Sequence, residues 1–281
     1  MKPAQLVLYL FFLYSSACAQ RLHIGVMAGL ASYNGDIVSK PFPGHKQSKE
    51  AFGFTLNYEI TDRLMLRGGF TYGHVAGADS LEKDLTFKLR NLSFQTGISE
   101  CSVMGEYYLF NLNETSFSPY GFAGIAVYHF NPYAFDLNGN KIFLQPLSTE
   151  GQGINGYTAK PYALTQLAIP FGGGLKFALN DNWRVGIEVG IRKLFTDYMD
   201  DVSTVYADKN DLLNAKGQRA VEMAYRGGEI PNGNPNYPVK GLQRGSEKSK
   251  DWYYFSGIHL TFRIGNGGTG GNRKNGCPAM N

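Results

Sequence analysis

Nine charged residues recur at alternating positions of strand-like segments: Glu59, Arg67, Glu100, Glu106, Lys176, Arg184, Glu188, Arg192 and Arg263. A period of two places each on the polar face of its strand, opposite an apolar face. Five cations and four anions brought together inside a closed sheet would pair and fill it, because each charge buried alone would be costly. The expected chemistry of this set is therefore ion pairing that plugs a barrel. His23 and His259 fall on the same polar faces, with Glu and Ser residues nearby, which is raw material for a hydrolase. A lipid hydrolase or acyltransferase in a membrane barrel would need its nucleophile or base toward lipid or the outer rim. No Ser/His pair falls on an apolar face, so both histidines read as filling polar residues. No Cys/His cluster has zinc spacing. Gly172-Gly173-Gly174 lacks the following helix and the Lys of a phosphate loop, and is expected to relieve crowding inside a narrow barrel. No catalytic, cofactor-binding or metal-binding residue is predicted.

The run Thr196-Asp197-Tyr198-Met199-Asp200-Asp201 carries three carboxylates. Clustered carboxylates can bind Ca²⁺. Here the spacing is not that of a known loop and no Gly follows at the turn. These groups are expected instead to cap backbone N–H groups and fold a long loop over the barrel mouth.

The elements that must position these residues are read from alternation. The last segment, Asp251 to Ile264, sets Ile258, Leu260, Phe262 and Ile264 against Gly257, His259, Thr261 and Arg263. Seven earlier segments alternate similarly, near 22–30, 52–60, 64–72, 100–109, 120–130, 165–177 and 184–192. In the fifth, both faces are apolar. Pro170 inside the sixth suggests a bulge. The stretch from His74 into the nineties reads as a polar connection. The connections run long, short, long, short, long, short, long, the longest being about 196–250. That rhythm is expected of an all-β chain folded as an eight-stranded antiparallel transmembrane β-barrel, with short periplasmic turns and long outer loops. Tyr58, Tyr72, Tyr107, Phe177, Trp183 and Trp252 lie near strand ends, where aromatic girdles belong.

Composition agrees with this architecture. Among 281 residues there are 35 Gly, 18 Tyr and 19 Phe, with 18% charged. A net charge of +4 with scattered basic residues gives no case for a nucleic-acid partner. Lys2, the apolar run Leu6 to Tyr14 and Ala17-Cys18-Ala19 read as a signal peptide over 1–19. Nine apolar residues are too few for a spanning helix, which takes roughly 20. Cys18 lacks the Leu three residues earlier that a lipobox favours. The barrel is expected over 20–264 in the cell outer membrane, in contact with outer-membrane lipid. A Gly-rich periplasmic tail follows over 265–281. Cys101, in a strand, and Cys277, in the tail, could pair in an oxidising compartment, but their settings differ.

Several stretches together resemble one family: Arg90-Asn91-Leu92-Ser93-Phe94, Ser118-Pro119-Tyr120-Gly121-Phe122-Ala123-Gly124, His129-Phe130-Asn131-Pro132, Gln166-Leu167-Ala168-Ile169-Pro170-Phe171-Gly172, and Arg192 to Ser203. They are similar to the PorG-like outer-membrane barrels of the type IX secretion and gliding machinery. Thr196, Asp197, Tyr198, Asp200 and Asp201 belong to the most specific piece. The resemblance implies a non-enzymatic component, without cofactor, that contacts a periplasmic ring lipoprotein and its partner protein. The contact is expected on the short turns and on the tail, with Arg273, Lys274 and Cys277 as candidates. A lone cysteine on a flexible arm suggests an intermolecular disulfide. The alternative is a generic small barrel for ligand binding or passive uptake.

Overall fold

The computed structural model describes residues 21–38, 47–231, 233–248 and 250–264. The expected signal peptide 1–19 and tail 265–281, with Arg273, Lys274 and Cys277, lie outside the described residues.

Alternation over long segments produces eight wall strands: β1 (Leu22–Asn34), β2 (Ser48–Glu59), β3 (Leu64–Ala78), β4 (Ser93–Tyr108), β5 (Phe117–His129), β8 (Thr165–Ala178), β9 (Trp183–Leu194) and β10 (Trp252–Ile264). Their order is β3-β2-β1-β10-β9-β8-β5-β4, and β4 pairs back onto β3 to close the sheet. First and last strands meet along their full length, from Leu22 opposite Ile264 to Asn34 opposite Trp252. Every neighbouring wall pair is antiparallel. The result is an eight-stranded antiparallel β-barrel without a free wall edge.

The outward rows are apolar and open to the surroundings. Ile24 and Val26, Phe52, Phe54 and Leu56, Leu66 and Phe70, Val103, Ile125, Leu167, Ile187 and Ile258 are all exposed, Phe54 and Ile125 to 68%. An encircling apolar surface of this extent is a membrane-facing belt. Tyr107, Phe177 and Trp183 are exposed at strand ends as well, whereas Tyr72, expected near an end, is exposed in the middle of β3 because that strand runs on to Ala78. In β5 the ambiguity resolves. Tyr120, Phe122 and Tyr128 turn inward and Ile125 and Val127 outward.

Three readings of the chain need correction. The stretch from His74 into the nineties is not a simple connection. β3 runs on to Ala78, a turn of 3₁₀ helix (Asp79–Leu81) and helix α1 (Leu85–Arg90) follow, and β4 starts at Ser93. These strands rise above the belt into a polar layer, so apolar alternation fades before pairing does. Asp84 starts α1 by accepting the Thr86 N–H, and Asn91 ends it at φ 58°. Pro170 makes no bulge: pairing stays in one register on both sides of it toward β5 and β9. The missing N–H interrupts the ladder only locally. A register shift occurs instead between β2 and β3, at Ser48/Ala51. Finally, the third outer loop carries its own hairpin, β6 (Tyr133–Phe135) and β7 (Lys141–Phe143), attached to β4 through Gln95 and Tyr133.

The fourth outer loop contains helices α2 (Lys209–Lys216) and α3 (Gln218–Ala224). Asp208 accepts from Asn210 and Asp211 N–H at the start of α2. Above the belt the interior is an apolar plug that includes Tyr33, Phe94, Ile98, Tyr128, Phe130, Tyr253 and Phe255.

Candidate functional site: a plugged barrel under a stapled cap

The membrane-level interior is built on four glutamates. Glu59, nearest the short turns, takes His23 at 3.0 Å, Arg184 at 2.7 Å and Arg263 at 2.9 Å. Glu106 takes Arg67 at 2.9 Å and Lys176 at 3.3 Å, and accepts from the Tyr108 hydroxyl. Glu188 accepts both Arg67 Nη1 (2.6 Å) and Nη2 (3.1 Å), and the Tyr120 hydroxyl (2.6 Å). Glu100 accepts Arg192 Nε (3.0 Å) and Nη2 (3.1 Å), and the Tyr253 hydroxyl (2.6 Å). All nine charges named from the sequence are paired, in three clusters around Glu59, around Glu106 with Glu188, and at Glu100. Forked guanidinium–carboxylate contacts are the strongest form of such pairing. The cations also lie over rings: Arg67 over Phe122 at 4.8 Å, and Arg192 over Phe255 at 4.6 Å.

The triple glycine has a steric reason. A Cβ on Gly172 would stand 2.2 Å from the Val189 carbonyl oxygen and 2.8 Å from the Phe122 ring, and one on Gly174 2.2 Å from the Ile187 carbonyl oxygen and 2.9 Å from the Tyr120 ring. Glycine at these positions lets the β9 backbone and both rings approach this closely. A cavity of about 20 Å³ in the bore is lined by Met27, Arg67, Ser102, Glu188 and His259 among others. That is room for one or two waters. His259 lies 3.6 Å from Glu188 and His23 is bonded to Glu59, so each histidine faces a carboxylate rather than a nucleophile.

The cap is the part that sequence reasoning largely missed. Asp200 accepts the backbone N–H of Val202 (3.0 Å) and of Ile37 in the first loop (3.2 Å). Asp201 accepts the hydroxyls of Thr149 (2.5 Å) and Tyr162 (2.7 Å) in the third loop. Asp197 accepts Ser203 Oγ–H at 2.9 Å, and Thr196 Oγ1 accepts the Tyr198 N–H at 3.2 Å. The Tyr198 ring stacks on Tyr162 at 4.9 Å. Among the described residues no group of three or more His, Cys, Asp or Glu is arranged to hold a metal ion. The groups not foreseen are Tyr33, Asp36, Asp79, Arg90, Glu150, Arg244 and Asp251. Arg90 is clasped by Asp79 (2.7 and 2.8 Å) and donates to the carbonyls of Asp36 and Arg244. Arg244 donates to Glu150 (2.9 Å) and to the carbonyls of Asp201 and Ala224. Glu150 also accepts Ser203 N–H, Thr204 N–H and Thr204 Oγ1–H. The Tyr33 hydroxyl donates to Asp251 at 2.6 Å. All four outer loops are thus tied to one another.

Acid outnumbers base in this cap, and burial acts on it. Asp197 is pushed up to about 7 by burial, with Asp36 and Glu150 adding repulsion against a lowering Ser203 bond and Lys250 charge. Burial raises Asp201 to about 6, against Arg244, Thr149 and Tyr162. Asp200 and Asp251 are raised by burial and by neighbouring carboxylates, Asp36 for the first and Asp200 for the second. The closed cap therefore keeps protons that an opened loop, with Asp near 3.9, would release between about pH 4 and pH 7. Closure is favoured as pH falls through that window and weakened as it rises. Hydrogen exchange at the amides of Ile37, Met199 and Val202, corrected for intrinsic rates, should show at least about tenfold more protection at pH 5 than at pH 8, since one pKa unit is a factor of ten. Protection that grows with pH would contradict this account.

These features define a class: an eight-stranded membrane-spanning barrel with a plugged interior and a knitted outer cap. The chain belongs to the family described as a domain of unknown function, DUF6089, whose model matches residues 3–216. No curated protein matches its sequence. Among solved structures it is similar to Neisserial surface protein A, at 9% identity over 86% of this chain and 96% of that one, TM-score 0.43. It is also similar to the outer membrane protein OprG from Pseudomonas aeruginosa, at 12% over 87% and 97%, TM-score 0.42. A further similar structure is the attachment invasion locus protein Ail of Yersinia pestis, at 12% over 86% and 99%, TM-score 0.38.

Proposed function

We propose that this protein is a non-enzymatic outer-membrane component of the type IX protein secretion and gliding apparatus, contacting a periplasmic ring lipoprotein and its partner protein. The observation that carries the non-transport part is the filled bore: charge pairs at membrane level with a cavity of about 20 Å³ among them, and aromatic rings above. A barrel so filled serves as an anchor and a surface rather than as a passage. The secretion assignment rests on the PorG-like motifs, of which Thr196, Asp197, Tyr198, Asp200 and Asp201 form the root of the fourth loop. Periplasmic contact would fall on the turns at 60–63, 109–116 and 179–182 and on the tail with Arg273, Lys274 and Cys277.

The test has two arms. A tagged protein should co-purify the periplasmic ring proteins, and deletion of its gene should abolish secretion of type IX cargo. Intact secretion in the deletion strain, with no ring protein recovered, would remove the assignment. Cys277→Ser should delete a disulfide-linked band on non-reducing gels; an unchanged pattern removes that contact. The alternative, a generic barrel for ligand binding or passive uptake, predicts conductance for its uptake form. Clear single-channel openings from purified protein in a planar bilayer would favour it.

A further inference from the structure

A recess of about 440 Å³ lies on the outside of the wall, above the belt, where β2, β3, β4, the β6–β7 hairpin and the fourth loop converge. Its height follows from β4. The outward row is apolar at Val103, then turns polar from Ser99 through Gln95 to Ser93. Gln95 is six residues beyond Cys101, which at about 3.3 Å per residue and a ~40° tilt is roughly 15 Å above the belt. That is the level of outer-leaflet headgroups, given the outer-membrane placement on which this inference rests.

The lining is mixed in a specific way. Gln47, Lys49, Ser93, Gln95, Asp136 and Arg226 supply donors and acceptors, while the Phe135 side chain supplies an exposed apolar ring face. Several of these polar groups are held in place. Arg226 is clasped by Glu229 (2.9 and 3.0 Å to Nε) and donates from Nη1 to Ser93 Oγ. Gln95 accepts the Tyr133 hydroxyl through Oε1, which leaves its amide N–H groups to donate. Asp136 accepts three N–H donors from Asn138 and Asn140 in its own turn and keeps acceptor capacity. Gln47 is 7% exposed, and its Oε1 has no hydrogen-bond partner among the described residues. Its carboxamide can turn on a broad terminal torsion to meet a ligand hydroxyl.

A free phosphate finds no surplus of positive charge, because Glu229 already balances Arg226 and Asp136 offsets Lys49. A purely apolar ligand would cover six polar side chains without offering them a partner. A sugar ring has what the recess asks for: hydroxyls around its edge that donate and accept, and a C–H face that lies against an aromatic ring. The volume falls in the range of small-molecule sites. The geometry points to a saccharide-binding site in this recess, its ligand either a sugar unit of an outer-leaflet glycolipid or a free saccharide.

The test uses the full chain purified in detergent. Binding is measured by saturation-transfer NMR with glucose, galactose, N-acetylglucosamine and glucuronic acid. Lipopolysaccharide and its deacylated core oligosaccharide are then compared in a competition assay. At least one saccharide should bind, and Phe135→Ala and Gln95→Ala should each weaken it about tenfold or more. Heat-dependent gel migration and protease resistance of the cap should stay unchanged in both variants, as a check on folding. Binding of the deacylated core as well as the intact lipid identifies the sugar as the ligand part, and binding of simple sugars alone identifies a free saccharide. No binding by any of these at millimolar concentration overturns the proposal. So does equal affinity in wild type and both variants, or competition by phosphatidylglycerol or an unglycosylated peptide but by no sugar. Because ring-protein co-purification is scored separately, this site and the secretion role can fail independently.

Discussion

Glu106→Ala should destabilise the barrel by about 3–5 kcal/mol, the range for stripping one partner from a buried ion pair. Glu106 is fully buried and is held by Arg67 at 2.9 Å and Lys176 at 3.3 Å. Arg67 retains Glu188, but among the described residues the direct contacts left to the Lys176 ammonium, 2% exposed, are the Tyr108 hydroxyl and the faces of Tyr108 and Tyr120. A cation in that position must draw water into the bore or shed its proton. The measurement is the urea midpoint of the folded-to-unfolded gel shift in defined lipid vesicles. The companion double variant Glu106→Gln/Lys176→Met removes both charges at similar volume, and should regain most of the loss. A single variant within about 0.5 kcal/mol of wild type, the scale of an ordinary surface substitution, would show that the pairs do not hold the bore.

Arg244→Ala should open the cap and leave the barrel closed. Its guanidinium is buried, pairs with Glu150, and satisfies the carbonyls of Asp201 and Ala224. Removal strands Glu150, although the Ser203 and Thr204 donors remain to it, and frees two carbonyls in one step. The cost is again about 3–5 kcal/mol, charged to cap closure rather than to the wall. Brief proteolysis of intact cells should cut the variant within 205–250, while wild type resists. Heat-dependent gel migration, which reports the closed barrel, should be the same in both. Loss of that migration would mean that cap and wall fold as one unit, and unchanged protease resistance would mean that Arg244 does not staple the loops.

Outside β5, whose two faces are both apolar, the wall was legible residue by residue because a strand in lipid has a strict local rule. Its outward positions must be apolar and its inward positions can be charged, so Phe54 beside Thr55 and Val189 beside Glu188 declare their faces without knowledge of any partner. Closure by the first and last segments follows from the same rule, since open edges are not tolerated in hydrocarbon. The bulge expected at Pro170 and the connection expected after His74 both went astray where the local rule weakens. A proline can lose one ladder bond without displacing its neighbours, and a strand that leaves the membrane no longer needs an apolar face.

What the sequence alone determined, then, is the period-two wall, the inward set of nine charges and the alternation of long and short connections, all of them consequences of neighbours along the chain. Only the tertiary structure decided which carboxylate meets which cation, and how Asp36, Arg90, Glu150, Arg244 and Asp251 join four loops. The Tyr33–Asp251 pair spans 218 residues and the Arg90–Arg244 contact 154. Contacts at such separations leave no periodic trace in the sequence, because they depend on where barrel closure brings the loop ends in space.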